Sequence, residues 1–395
     1  MTTLTVQPDR SSQAMAAGIL ALVAASHFLN DMLQSLIPAA LPLLKDANGL
    51  TFAEVGLITL TVQITSSLMQ PLVGWATDKR PIPAALPVGM LSTLVGLILL
   101  ARADSLPAIL CAVALFGCGS AIFHPESTRA VQLAAAGRKG FAQAVFQVGG
   151  NAGMALGPVA AALIIIPNGQ GSISWFAPVA AVAAVLLIRV ATWTAGQVRA
   201  SAAKRRTQGA AVARANLVPI FVILFVLMFS KQVYISSLQN FLTFFSMDRY
   251  GADAVTAQFV LFAFLAASAA GTIAGGFITD RISRRTVMIL SIVGAAPFAI
   301  LLPHTGFALM VTLAVIVSFI MSAAFSAILV SAFEAAPGHT GIISGVFFGF
   351  CFGLGGVATA FFGWLADGIG LENVFVIASF TPLLGIAAFA LPKDI

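Results

Sequence analysis

Gly74-Trp75-Ala76-Thr77-Asp78-Lys79-Arg80 and Gly276-Phe277-Ile278-Thr279-Asp280-Arg281 are one motif written twice, with glycine and aspartate both displaced by 202 residues. Each copy closes a long apolar run and opens a basic stretch. The first ends on Lys79 and Arg80, and the second continues through Arg281 to Arg284 and Arg285. A repeat at one offset, in matching positions, divides the chain into two related halves. A partial third copy, Gly363-Trp364-Leu365-Ala366-Asp367, follows a later run. The glycines permit close helix approach, and the aspartates and basic residues can brace neighbouring helix ends.

Composition sets the class around this repeat. Of the 395 residues, 59% are hydrophobic and 9% charged, and the mean hydropathy is +1.00. Soluble domains carry roughly 25% charged residues, so this chain cannot coat a water-facing surface. That excludes an ordinary soluble enzyme, a disordered chain and a fibre. A polytopic membrane protein remains. The net charge of +6 therefore reads as loop charge and not as affinity for nucleic acid. Cys111, Cys118 and Cys351 lie in apolar runs and form no disulfide framework, and no Cys/His spacing suggests a metal. The first apolar run lacks a cleavage site and reads as a retained span.

Breaks at polar, glycine and proline residues delimit twelve segments, at roughly 15–44, 52–77, 84–102, 107–134, 141–166, 173–194, 216–246, 254–279, 286–302, 306–333, 341–366 and 373–391. The predicted fold is an all-α membrane protein of 12 transmembrane helices in two pseudo-symmetric six-helix halves. The halves are 1–194 and 216–395, joined by a basic cytoplasmic linker, 195–215, that holds Arg199, Lys204, Arg205, Arg206 and Arg214. With the N-terminus inside, Arg10, Lys79, Arg80, Arg138, Lys139, the linker residues, Arg281, Arg284, Arg285 and Lys393 are all cytoplasmic. Lys45, Arg102 and Arg249 are left outside, so both termini are expected in the cytoplasm. The third motif copy then faces outward, as nested inverted repeats require.

Twelve spans in two halves with this duplicated motif resemble the major facilitator superfamily. Gly153, Gly157 and Pro158 match a GxxxGP element typical of that superfamily's antiporters, with small-residue packing as the simpler alternative. A closer resemblance, to the fosmidomycin resistance proteins of bacteria, rests on Ser26-His27-Phe28-Leu29-Asn30-Asp31-Met32, Gln63, Gln70-Pro71, Phe123-His124-Pro125-Glu126-Ser127, Arg129 and Phe146-Gln147-Val148-Gly149-Gly150-Asn151. It covers most of the first half and is more diffuse in the second. Arg129 lies near the inner end of span four, where related drug antiporters place an Arg in the outer half. Pro81 and Pro83 replace a further glycine after the first motif. The resemblance implies proton-driven export of fosmidomycin, a small hydrophilic phosphonate, from the bacterial inner membrane.

A charge at midspan costs about 2.5–3.5 kcal/mol on insertion scales, so such residues line a cavity or pair. His27, Asn30, Asp31 and Gln34 share one helical face of span one. Asp31 with His27 reads as a proton-coupling site, or else as a static buried network. Glu126 joins the coupling candidates. It sits i, i+3 from Arg129, and the two either neutralise each other or exchange a proton for an anion. Lys231, central in span seven, needs a partner on another helix, such as Asp31, or an anionic ligand. Lys231, Arg129, His124, Asn30, Gln34, Gln63, Gln147, Asn151 and Tyr234 form the expected substrate-binding set. Gly74, Asp78, Lys79, Arg80, Gly153, Gly157, Pro158, Gly276, Asp280, Arg281 and Arg285 are expected to act in the conformational change.

The expected partners are a small anionic or amphiphilic substrate and the bilayer. No cofactor beyond the proton gradient, no metal and no second copy is expected. A symporter importing a small anionic metabolite and a non-transporting receptor or scaffold are the rival readings. No nucleotide-binding loop or Ser/His constellation suggests ATP drive or catalysis.

Overall fold

The computed structural model describes residues 10–79, 82–135, 139–202, 218–279, 281–335, 347, 349 and 351–392. Every regular element among them is helical. Helix α1 spans Arg10–Asn48. Then come α2 (Phe52–Gln63), α3 (Gln70–Lys79), α4 (Ala85–Leu100), α5 (Leu106–Ala134) and α6 (Lys139–Ala160). A short α7 (Ile166–Asn168) precedes α8 (Ala177–Ala202). The second half holds α9 (Val218–Tyr250), α10 (Ala254–Thr279), α11 (Arg284–Ile292), α12 (Ala296–Leu301) and α13 (Phe307–Ala335), then helices Cys351–Ile369 and Leu371–Ala378.

Ten helical stretches among the described residues are long and apolar enough to cross a membrane. The expected segments 84–102 and 341–366 contain α4 and the helix Cys351–Ile369, and the start of the latter segment lies outside the described residues. Helix α8 runs through Ala202, past the expected end of span six at 194, with Gly196 accommodated inside the helix and no proline to break it. Most of the linker lies outside the described residues.

Several spans are not single helices. Between α2 and α3 the coil widens over Ile64–Leu68, where the Met69 N–H reaches back five residues to the Ile64 carbonyl. A second widened turn, Ala161–Ile165, follows Pro158, whose missing N–H disturbs the ladder. The ninth expected segment breaks between α11 and α12 at Gly294, just before Pro297. The last one tightens over Thr381–Ala390 after Pro382 enters.

The apolar core shows how the halves sit together. One large cluster unites Leu36, Leu41 and Phe116 of the first half with Phe241, Phe264 and Phe375 of the second. It occupies the end where α1 hands over to α2, here called the closed end. At the other end the core divides in two. Ile19, Phe123 and Leu187 pack within the first half, and Leu224, Met288 and Ile328 within the second. The halves are therefore sealed together at one end and filled separately at the other.

Two backbone-close seams position the site. Within the first half, Gly149, Gly150, Gly153 and Gly157 of α6 lie against α1. A Cβ would strike the Ala24 carbonyl at Gly149, the Phe28 carbonyl at Gly153 and the Ser35 hydroxyl at Gly157. Between the halves, a Cβ on Gly56 would lie 2.7 Å from the Ala360 Cα, and one on Gly363 would strike the Phe52 carbonyl. The small residues bring the backbones together, and dispersion contacts hold them in a solvent that offers no hydrophobic drive.

Candidate functional site

His27 and Asp31 stand one turn apart on α1, and α5 adds His124. His27 Nε2 lies 3.2 Å from Asp31 Oδ2, and His124 Nε2 lies 3.6 Å from Asp31 Oδ1. Asn30 Nδ2 donates to Asp31 Oδ1 at 2.9 Å. Asp31 thus draws its polar partners from its own half, and an Asp31–Lys231 bridge is not what holds it in this conformation. His27, Asn30 and Asp31 are buried, whereas the His124 side chain keeps 29% of its surface exposed. Gly150 makes room for the cluster, since a Cβ there would sit 2.5 Å from His27 Nε2 and 2.7 Å from Asp31 Oδ2.

The hydrogen bonds on the far side of each ring fix what faces the carboxylate. His27 Nδ1 is 2.7 Å from the Phe146 carbonyl, and His124 Nδ1 is 3.0 Å from the Ser120 carbonyl. A carbonyl only accepts, which assigns the proton to Nδ1 in both rings. When a ring is neutral, its Nε2 therefore turns a lone pair toward Asp31. Lone pairs facing a carboxylate call for a positive charge between them: a second proton on a ring, or a cation. The Phe146 ring stacks on His27 at 3.9 Å between centroids and keeps it in place.

Further along α5, Glu126 is fully buried and its Oε1 meets Arg129 Nη1 at 3.1 Å. Arg129 also donates to the Thr77 carbonyl at 3.1 Å and lies 3.4 Å from the Thr77 hydroxyl, tying α5 to the first repeat motif. In the second half Arg285, at the start of α11, ties that helix to the last helical segment. Its guanidinium donates to the carbonyls of Ala388 and Phe389 at 3.3 and 2.7 Å. Arg281 is exposed. Arg80 and Asp280 lie outside the described residues, as do the side chains of Asp78 and Lys79.

The other expected site residues are dispersed. Gln34 Nε2 and Asn151 Nδ2 are buried atoms with no hydrogen-bond partner among the described residues. Gln147 is half-buried. Gln63 accepts from Ser67 at 3.0 Å and packs under Gly356 in the seam between the halves. Lys231 is buried, with Nζ 5.5 Å from the centre of the Phe325 ring. Tyr234 is fully buried and donates to the Ala299 carbonyl at 3.4 Å, inside the second half.

The motif glycines also separate. A Cβ on Gly74 would meet only Pro125, at an ordinary 3.8 Å, so no close approach depends on Gly74 here. In the second half close approaches fall at Gly271 and Gly275, which lie against Phe319 and Ala323 of α13, while Gly276 is half-buried beside them. Gly153, Gly157 and Pro158 are buried, and the two glycines make the α1 seam.

Asp367, in the third motif copy, was not among the expected site residues. Its carboxylate accepts the backbone N–H groups of Phe52 at 2.8 Å and Ala53 at 2.7 Å, across the two halves. The sequence signal was present in the partial repeat, but its partner could not be read there.

This helical fold, with ten apolar helices of membrane-crossing length among the described residues, suits a membrane transporter, and the chain belongs to the Major Facilitator Superfamily, whose family model matches residues 23–360. The chain is 48% identical over 378 residues to the Fosmidomycin resistance protein of Escherichia coli (strain K12), covering 95% of this chain and 93% of that one. It is 40% identical to the uncharacterized MFS-type transporter YfnC of Bacillus subtilis (strain 168), with 95% and 93% covered. Among solved structures it resembles a bacterial homolog of the human lysosomal transporter Spinster, in an inward-facing and occupied conformation. The TM-score is 0.75 at 14% identity, with 96% and 97% of the chains covered. The nucleoside transporter NupG matches with a TM-score of 0.73 at 13% identity, over 94% and 98%.

Proposed function

We propose that the chain is a proton-coupled antiporter of twelve spans that exports fosmidomycin or a similar small anion by alternating access. The carrying observation is the cluster of His27, Asp31 and His124. Its hydrogen bonds leave two ring nitrogens facing one carboxylate, an arrangement that needs a proton and changes charge when the proton leaves. The 48% identity to a fosmidomycin resistance protein supports the substrate class. In this reading the protein sits in a bacterial inner membrane with both termini in the cytoplasm and the closed end outside, an orientation that the distribution of basic residues supports.

In this reading the structure faces inward. Substrate enters between the halves from the split end and meets Arg129, His124, Gln34 and Asn151, with Lys231 on the opposite half. Rocking opens the closed end and releases it. A proton from outside then loads the cluster through His124 and leaves on the inner side. Glu126, locked with Arg129 and Thr77, serves as a brace. The transporter works as a monomer and needs no cofactor beyond the proton gradient.

The test is growth of a drug-sensitive bacterium in fosmidomycin, with proteoliposomes of the purified chain under an imposed pH gradient. Resistance and gradient-dependent flux are expected for the wild type. Asp31→Asn should lose both while inserting normally. Export unaffected by the gradient, or retained by Asp31→Asn, would refute the coupling assignment. A well-expressed wild type without resistance would refute the substrate.

A further inference from the structure

We propose that His27, Asp31 and His124 form a binding site for a divalent transition-metal ion, with Zn2+ the ion that the donor set fits. The site does not rest on the transport reading. Two imidazole nitrogens and one carboxylate are the three-ligand set of open zinc sites, with a fourth position left for water or an anionic oxygen.

The distances are close to those a metal needs. Donors 2.0–2.1 Å from a tetrahedral ion stand about 3.4 Å apart. Here His27 Nε2 lies 3.2 Å from Asp31 Oδ2 and His124 Nε2 lies 3.6 Å from Asp31 Oδ1, and with one donor atom taken from each residue all three lie within 4.8 Å of one another. Loading draws the two rings toward one carboxylate oxygen, with His124, the most exposed of the three, moving inward. The outer shell is already built. Each ring donates its Nδ1–H to a backbone carbonyl, Phe146 for His27 and Ser120 for His124, which turns the Nε2 lone pairs inward. Asn30 steadies the carboxylate. Two nitrogen donors disfavour Mg2+ and Ca2+, which prefer all-oxygen shells of six or more ligands.

The His27–Asp31 spacing alone is a common helical pair. The third ligand comes from α5, so no local spacing announces the site. The same lone pairs serve a proton or a metal, never both at once. If the cluster couples transport to protons, bound Zn2+ holds it in one charge state and slows transport.

The experiment is calorimetric titration of the full chain, purified in detergent with a histidine-free tag, with ZnCl2 in chelator-free buffer. One Zn2+ per chain is expected. Binding should weaken at least about tenfold in His124→Ala and stay unchanged in His304→Ala, a histidine remote from the cluster. His124→Gln replaces the alanine variant if the latter is not monodisperse. Co2+ should give the intense visible bands of a four-coordinate site, lost in Asp31→Asn. No saturable binding by monodisperse wild type, or equal binding by the His124 variant, would overturn the proposal. Neither result depends on drug export, so a failed metal site and a failed transport reading are told apart.

Discussion

Asp367 accepts the backbone N–H of Phe52 at 2.8 Å, so a carboxylate from the second half caps the first helical residue of α2 in the first. The start of α2 is fully accounted for. Ala53 also donates to Asp367, Glu54 N–H donates to the Thr51 hydroxyl at 3.2 Å, and Thr51 N–H donates to the Glu54 carboxylate at 2.8 Å. Helix starts leave four N–H groups without intrahelical partners, and half of this set is met only while the two halves are closed here.

Asp367→Asn should therefore loosen the closed end. Such a cap at an exposed helix start is worth about 0.5–1 kcal/mol, a two- to fivefold change in population. Spin labels placed across the seam should show more of the separated form. An unchanged distance distribution would mean that the glycine seam alone holds the end shut.

Gly150→Ala should disable the site more than the fold. Its Cβ would sit 2.7 Å from Asp31 Oδ2, a side-chain atom that can move, so the cluster yields first. Gly153→Ala meets the Phe28 backbone and should instead cost about 1–3 kcal/mol of stability. Thermal unfolding and transport, measured on both, should rank the two variants in opposite orders.

Arg129→Ala should be among the most destabilising single changes in the first half. Glu126 is fully buried, and removing a partner from a buried ion pair costs about 3–5 kcal/mol. Adding Glu126→Gln should recover much of the loss. Comparison of melting temperatures across this double-mutant cycle checks it.

Asp253 makes a pH-sensitive cap on α10. Hydrogen bonds from the Thr256 hydroxyl at 2.5 Å and the Thr256 N–H at 2.9 Å hold its carboxyl below the usual carboxylate range. The folded state thus favours the charged form. Its stabilisation is present at neutral pH and is lost as pH falls through the depressed folded value. Asp253→Asn should flatten the acid side of the melting-temperature profile by a small amount, since the group is exposed.

Much of this architecture can be read before folding. Long apolar runs require helices in a membrane, and the described residues are helical throughout their regular elements. The α1 face of His27, Asn30 and Asp31 follows from helical spacing, and those residues do share one cluster. The addition of His124 did not follow, because α5 reaches α1 only through tertiary packing. Gly153 and Gly157 make the close approach to α1, and Gly275 makes one to α13. Asp367 illustrates the same limit, as its partners are backbone groups far away in the chain.

The glycine seam between α1 and α6 also bears on how the protein can evolve. Because His27, Asp31 and His124 all belong to one half, and α1 is fitted to α6 at backbone distance, the reactive groups share a single stiff block. In the proposed rocking motion, swinging that block changes which compartment wets it and leaves its internal geometry alone. Under the proposed mechanism the opposite half is then free to diverge in shape and charge, accommodating new cargo, without retuning the proton chemistry of this block.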